Sequence, residues 1–347
     1  MGSEMATVDD VAKAAGVSIS TVSYALSGKR AISQETRERV LKAAAELNYQ
    51  PHASARMLAA NRSHILAVTA PLHADTDSTV HMQFAMEVTK EAHSLDYDTL
   101  LLVHDDTMQS MRRAAATALA DGVIVLDVDA EDPRADLARS LDYPVVFIGI
   151  PHDARGLICV DMDFEEAARM SVDRLADAGH TSIGMISHPR LTVQRGSNFP
   201  LRFRDAFIAR CTERGLEHSV AYPLEHSARE SVDELLTALP NMTALVLNTS
   251  SDVAADASSA LAAHDLTIPH DVSVIAAGAA YPTHRFPVPL DRIPLDAEAS
   301  CTAAVDLLVA AIDRGEREAR TVLIPPEYQD FGSVRAVAVG IEKATQH

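Results

Sequence analysis

Between Ala14 and Leu26 the chain reads AAGVSISTVSYAL and sets the hydroxyls of Ser18, Ser20, Thr21 and Ser23 around Ile19 and the phenol of Tyr24. Hydroxyls so spaced can bond base edges or phosphate oxygens, and an isoleucine among them can pack on a thymine methyl. The stretch has no Lys or Arg, so it offers no bidentate grip on guanine and little charge to hold a polyanion. Tyr24 has a plainer alternative, which is to pack against a neighbouring helix.

A second group of polar side chains stands where strand-like runs end: His73, Asp75, Asp161, His188, Arg195, Asn198, Arg202, Asp252, Tyr281 and Arg285. Open α/β sheets bind small ligands outside the carboxyl ends of their strands, so these positions are candidates for a ligand cleft. Arg195, Asn198 and Arg202 share one segment, VQRGSNFPLR, whose Gly, Asn and Pro suggest a shaped loop. Arginine forks with hydroxyls suit a phosphorylated sugar or an organic acid, and a modified or oligomeric carbohydrate fits equally well. Catalytic chemistry is not expected. His73 and His81, or His264 and His270, lack an H-x-x-x-H partner, the three cysteines form no C-x-x-C, and no Ser-His-Asp grouping, G-x-G-x-x-G or P-loop is visible. No metal or cofactor is expected either.

The elements that would position these groups divide at about residue 63. TVDDVAKAAG begins with Thr7 as N-cap and Asp10 three residues on, a capping box, and Gly16 suits the left-handed residue ending that helix. Val22, Ala25 and Leu26 are the expected buried stripe of a second helix. Ser33 caps a third, QETRERVLKAAAELNY, with Val40, Leu41, Ala44 and Leu47 expected to face inward. Pro51 stops it, and HASARMLAANR follows as a short helix-competent segment. From His64, strand-like runs at 64–71, 98–105, 122–128, 145–150, 156–162, 182–188, 244–248, 272–278 and 321–326 alternate with helical stretches. This rhythm predicts parallel sheets covered by helices, and a break near residue 160 favours two lobes.

The formal net charge of −19 is unevenly shared. Residues 1–62 hold eight Lys/Arg against six Asp/Glu, a balance of +2, which leaves −21 on the remainder. An acidic body disfavours wrapping by nucleic acid, so any such contact belongs to the N-terminal segment. Few, scattered cysteines and no signal-peptide region or apolar run of spanning length lead us to expect a cytoplasmic chain with no membrane association.

TVDDVAKAAGVSISTVSYALSGKRAISQETRERVLKAAAELNYQPHASARMLA resembles, nearly position by position, the DNA-binding domain and hinge of the lactose-repressor (LacI/GalR) transcription factors. The likeness continues in GVIVL, YPVVFIG, VDMDFEEAARMSVDRLADAGHTSIGMI, TIPHDVSVIAAG and PLDRIPLDAEASCTAAVDLL. It implies a helix-turn-helix domain over 1–50, a hinge over 51–62 and a two-lobed, periplasmic-binding-protein-like α/β body over 63–347. One lobe would comprise about 63–161 and 293–325, the other about 162–292 and 326–347. The implied function is a homodimeric repressor that binds a pseudo-palindromic operator in double-stranded DNA and answers to a small effector, a sugar or sugar derivative. A co-repressor-dependent regulator and, less well, a solute-binding protein are the alternatives. The C-terminus lacks leucine heptads, so a dimer is expected.

Carried over from the family pattern, Ile19, Ser20 and Tyr24 fall on specificity positions, and Ser18, Thr21 and Ser23 fall on phosphate-holding ones. Thr7, Arg30, Ser33 and Arg56 are further DNA-contact candidates. Ala55 and Leu58 match the hinge pattern, in which the leucine wedges into the central base step. The pattern for sugar binding fails at three places. Phe199 stands at the usual Arg with Arg202 at the following Gly, Ser250 and Ser251 stand at an Asn-Asp, and Gly278 and Ala279 stand at an Asp pair. The effector candidates are therefore His73, Asp75, Asp161, Arg195, Asn198, Phe199, Arg202, Ser250, Ser251 and Tyr281.

Overall fold

The computed structural model describes residues 6–27, 32–47, 49, 62–71, 73, 78–103, 106–224, 227–279 and 288–337. Arg30, Ala55, Arg56, Leu58, Asp75, Tyr281 and Arg285 lie outside these residues.

The N-terminal helices are α1 (Val8–Ala15), α2 (Ile19–Ser27) and α3 (Gln34–Glu46). Thr7 caps α1 in a complete capping box with Asp10, and Gly16 ends it at φ 67°. Ser33 caps α3 through the Thr36 amide. Val11, Ala12, Val22, Ala25, Val40, Ala43 and Ala44 form one small core. Leu26 is partly buried against it, whereas Leu41 is 46% and Leu47 37% exposed. Both were expected to face inward. The buried face runs Val40, Ala43, Ala44, so Leu41 sits about 100° round the helix from it and Leu47 lies past the last helical turn.

Among the described residues the body contains two wholly parallel sheets. The first orders β11 (Arg320–Ile324), β5 (Ile158–Met162), β4 (Val145–Ile148), β3 (Gly122–Val125), β1 (Ile65–Thr69) and β2 (Asp98–Leu102). The second orders β10 (Asp291–Pro294), β9 (Ser273–Ala279), β8 (Ala244–Leu247), β6 (Ser182–Ile186) and β7 (Glu217–Ala221). The chain crosses between the sheets after Met162, after Pro294 and after Ile324.

Alternation along the strands sorts each sheet into two buried faces. Leu66, Val68, Ile124, Val146 and Val160 pack on α4 (Ser78–Ser94) and α12 (Ala297–Arg314). Ala67, Val123, Val125, Phe147 and Cys159 pack on α5 (Thr107–Thr117) and α6 (Pro133–Ser140). In the second sheet Ile183, Met185, Val246 and Ile275 meet α7 (Phe164–Asp177) and α9 (Asn198–Glu213), the latter preceded by the short α8 (Arg190–Arg195). Ile186, Leu245, Leu247 and Val274 meet α10 (Arg229–Ala238) and α11 (Ser251–Ala262). The C-terminal segment is fastened to this lobe by Asp291, which is fully buried and accepts from the Tyr328 hydroxyl and from the amides of Phe331 at 2.8 Å and Ser333 at 2.9 Å.

Candidate nucleic-acid interface and ligand cleft

The start of α2 is built to present side chains outward. Gly16 turns the chain with no side chain in the way, and Val22 and Ala25 anchor the helix from beneath. Ser18, Ser20 and Ser23 are exposed, and Ile19 is 49% exposed between them. Ser18 Oγ lies 2.8 Å from both Ser20 Oγ and Thr21 Oγ1, and the Thr21 amide donates to it at 3.2 Å. Ser33 Oγ is similarly joined to Thr36 Oγ1 at 2.8 Å. The hydroxyls thus hold one another in place at a surface with no basic residue on α2. Thr21 and Tyr24 are half-buried, so both the outward and the packed reading of Tyr24 keep a share of its surface.

In the body, the ends of β3 and β4 meet the segment from α8 into α9. Arg195 reaches across to Asp129 Oδ1 at 2.6 Å and Asp127 Oδ1 at 3.0 Å. The Ala130 amide donates to the Gly196 carbonyl at 2.7 Å, and the Asn198 amide donates to Val128 at 3.0 Å. The Asn198 side chain donates to the Ile150 carbonyl. The carboxylates are themselves held from behind. Arg134, buried with Asp132, donates to the carbonyls of Leu126 at 3.0 Å and Asp127 at 2.5 Å, and Asp132 accepts from the Asp129 amide at 3.2 Å. Burial pushes the Asp129 carboxyl up, against the pull of Arg195.

A second ionic group ties the crossover after β5 to α9. Arg202 donates to Asp161 Oδ2 at 2.6 Å and to both oxygens of Glu165 at 2.7 and 2.6 Å. Burial pushes Asp161 up to about 7 despite the neighbouring guanidinium. Beside this group Phe199 packs on Phe164 at 5.2 Å between centroids and edge-on to His188 at 4.8 Å, and Arg202 lies 5.9 Å over Phe164.

Of the sequence candidates, Asp161, Arg195, Asn198, Phe199, Arg202 and His188 come together here. His73 stands at the rim, its Nε2 3.7 Å from Asp127 Oδ2. Ser250 does something else: its hydroxyl caps α11 by accepting from the Val253 amide, with Ser251 half-buried and Asp252 exposed in the following turn. Gly278 has a steric reason. At φ 73° a Cβ there would fall 2.7 Å from Asn248 Nδ2 and 3.1 Å from the Phe164 ring, so no carboxylate fits where the family pattern has one. Asn248 fills that space and donates to the Ala277 carbonyl at 2.9 Å.

Sequence reasoning missed Asp127, Asp129, Phe164, Glu165, Ser187 and Asn248. The signal for four of them was on the page, since VLDVD, ISH and LNT end strands as plainly as the candidates that were chosen. Ser187, Ser197 and Asn248 are fully buried, and Ser187 Oγ, Ser197 Oγ, Thr192 Oγ1, Asn248 Oδ1 and Asp127 Oδ2 have no hydrogen-bond partner among the described residues. Buried polar atoms are nearly always satisfied, so orphans gathered at strand ends mark a place that a ligand or water fills. Among the described residues no group of three His, Cys, Asp or Glu could hold a metal ion, and no helix is long and apolar enough to cross a membrane.

Residues 7–52 match the bacterial regulatory proteins of the lacI family, and residues 172–334 match a periplasmic binding protein-like domain. The HTH-type transcriptional regulator AglR of Rhizobium meliloti is 32% identical over 300 residues, which are 81% of this chain and 80% of that one. The HTH-type transcriptional repressor PurR of Vibrio parahaemolyticus is 30% identical over 335 residues, 93% of this chain and 97% of its own. Among solved structures, the lac repressor dimer bound to operator and the anti-inducer ONPF superposes with a TM-score of 0.79 at 23% identity, covering 96% of this chain and all of that one. A transcriptional regulator CelR–cellobiose complex gives 0.64 at 21% identity, covering 94% and 99%.

Proposed function

Because this chain belongs to the lacI family of bacterial regulatory proteins and is a DNA-binding transcriptional regulator, we propose that it represses transcription as a homodimer released by a small effector. The observation that carries the DNA half is the outward set on α2: Ile19 exposed between exposed Ser18 and Ser20, on a capped and packed three-helix domain. In this reading α2 enters the major groove. Ile19, Ser20 and Tyr24 read base edges, while Ser18, Thr21, Ser23, Thr7 and Ser33 hold the phosphate backbone through hydroxyls and helix N-termini. Affinity then comes from two half-sites and many neutral contacts, which is how an acidic chain binds a polyanion.

Exposed Met82 and Met86 of α4 beside Leu101 and Val103 at the β2 edge support pairing of two copies through the first lobe. Orphaned polar atoms on both sides of the cleft support an effector site between the lobes. That regulators rather than enzymes recur among the relatives supports a chain with no catalytic step. Similarity to a CelR–cellobiose complex supports a carbohydrate-related effector. The deciding experiment is selection of bound duplexes from a random pool at one stated salt concentration. A pseudo-palindrome with a deformable central step is expected, and absence of any enriched sequence, with or without added cell metabolites, defeats the reading.

A further inference from the structure

The cleft holds an excess of acid among the described residues. Asp127, Asp129, Asp161 and Glu165 meet two guanidiniums, Arg195 and Arg202, while the adjacent Asp132–Arg134 pair neutralises itself. Even with Asp161 protonated, one carboxylate remains in surplus. The arginines are also engaged. Arg202 donates from Nε, Nη1 and Nη2 to Asp161 and Glu165, and Arg195 spends both Nη groups on Asp127 and Asp129. A phosphate or carboxylate ligand would have to share guanidiniums that are already charge-paired and lie against the carboxylates that pair them. The phosphorylated sugar and organic acid that two arginines suggested in the sequence are therefore disfavoured by their partners.

The orphaned atoms point the same way. Ser187, Ser197 and Thr192 carry hydroxyls that turn to suit either role, but the two orphans of fixed polarity are both acceptors: Asp127 Oδ2, which has His73 Nε2 3.7 Å away and no hydrogen bond among the described residues, and Asn248 Oδ1. The Asp127 side chain is 6% exposed and Asn248 fully buried. A ligand that satisfies them brings donors. Half-buried Phe199, packed on the buried Phe164, offers an aromatic ring that can cover the apolar face of a sugar ring.

We propose that the cleft takes a cationic polyhydroxylated molecule of the amino-sugar class, its ammonium beside Asp127 Oδ2 and its hydroxyls on Asn248 and Ser187. The assignment rests on the cleft being the effector site. The test uses the full chain and hexoses in three charge states: D-glucosamine and D-galactosamine, D-glucose and D-galactose, and their 6-phosphates. Calorimetric titration at pH 7 is expected to give saturable binding of an aminohexose at least tenfold tighter than its parent. Asp127→Asn, or Asp129→Asn should the first variant unfold, is expected to remove that advantage, the aminohexose losing at least tenfold more affinity than its parent. A parent sugar or phosphate that binds as tightly overturns the assignment, as does the absence of binding by all six. The effector reading is scored separately on the same protein. A small-molecule cell extract that alters operator binding keeps that reading alive whatever the hexoses do, and one that has no effect removes both.

Discussion

Arg195→Gln tests whether the two lobes are held by the chain's own charges. The guanidinium lies 2.6 Å from Asp129 and 3.0 Å from Asp127, and the three side chains are 19%, 25% and 6% exposed. Removing one partner of a buried ion pair costs about 3–5 kcal/mol, because the other charge is left uncompensated. Partial exposure of Arg195 and Asp129 lets water recover some of that, which brings the expected loss to about 2–3 kcal/mol. Since the aspartates sit on one lobe and the arginine on the other, the loss falls on the closed arrangement and shifts closed against open by roughly 30- to 150-fold. Hydrogen exchange at the Ala130 and Asn198 amides, which bridge the same gap, reads this directly, with small-angle scattering to register opening. Asp127→Asn added to Arg195→Gln should restore at least half the effect, because the stranded charge goes with it. Exchange at both amides within twofold of the parent, with unchanged scattering, would refute the reasoning.

Asp161 makes stability depend on pH. Its carboxyl is raised from 3.8 to about 7, so its contribution is complete below pH 3.8 and is lost as pH rises towards 7. Asp161→Asn should flatten the urea midpoint across that window, and equal slopes in parent and variant would count against the burial argument. Asp291→Ala takes a fully buried acceptor from the Tyr328 hydroxyl and two amides, with an expected loss of about 2–3 kcal/mol in urea unfolding; a loss under about 1 kcal/mol would mean the C-terminal segment is not fastened there. Ile19→Ala should weaken discrimination at one base pair of the selected half-site by about 1–3 kcal/mol while sparing the rest. An unchanged selection would take Ile19 out of base reading.

Periodicity and capping made the helical domain legible almost to the residue, because Thr7, Gly16 and Ser33 each have a local job that needs no tertiary context. The strand–helix alternation likewise announced nine strands, and the two it missed explain themselves. EHSVA of β7 is an edge strand whose exposed and half-buried side chains are mostly polar, and DRIP of β10 is four residues long with a proline at its end. The short α6 and α8 were missed for lack of length, though Asp132 capping Pro133 was a readable start. The ligand cleft was legible only in part. Arg195 and Arg202 were singled out as ligand-binding cations, but their partners lie between 37 and 68 residues away, and no local pattern states that a charge is already satisfied. The apparent gap at Gly278 also became intelligible only when Asn248 and Phe164 were seen to occupy the space.

The threefold crossing of the chain between the sheets sets an order on synthesis. The second lobe has all its strands once β10 ends at Pro294, whereas the first lobe still lacks α12, which covers one of its faces, and β11, whose Arg320 pairs with Ile158 about 160 residues earlier. A chain emerging from the ribosome can therefore bury the helical domain and most of the second lobe while the first lobe waits with one apolar face uncovered. The step that completes it also brings the ends of β3 and β4 to Arg195. Closure of the cleft between the lobes is acquired last, so a chain truncated before β11 keeps its helical domain and, if the cleft is the effector site proposed above, has nothing with which to answer an effector.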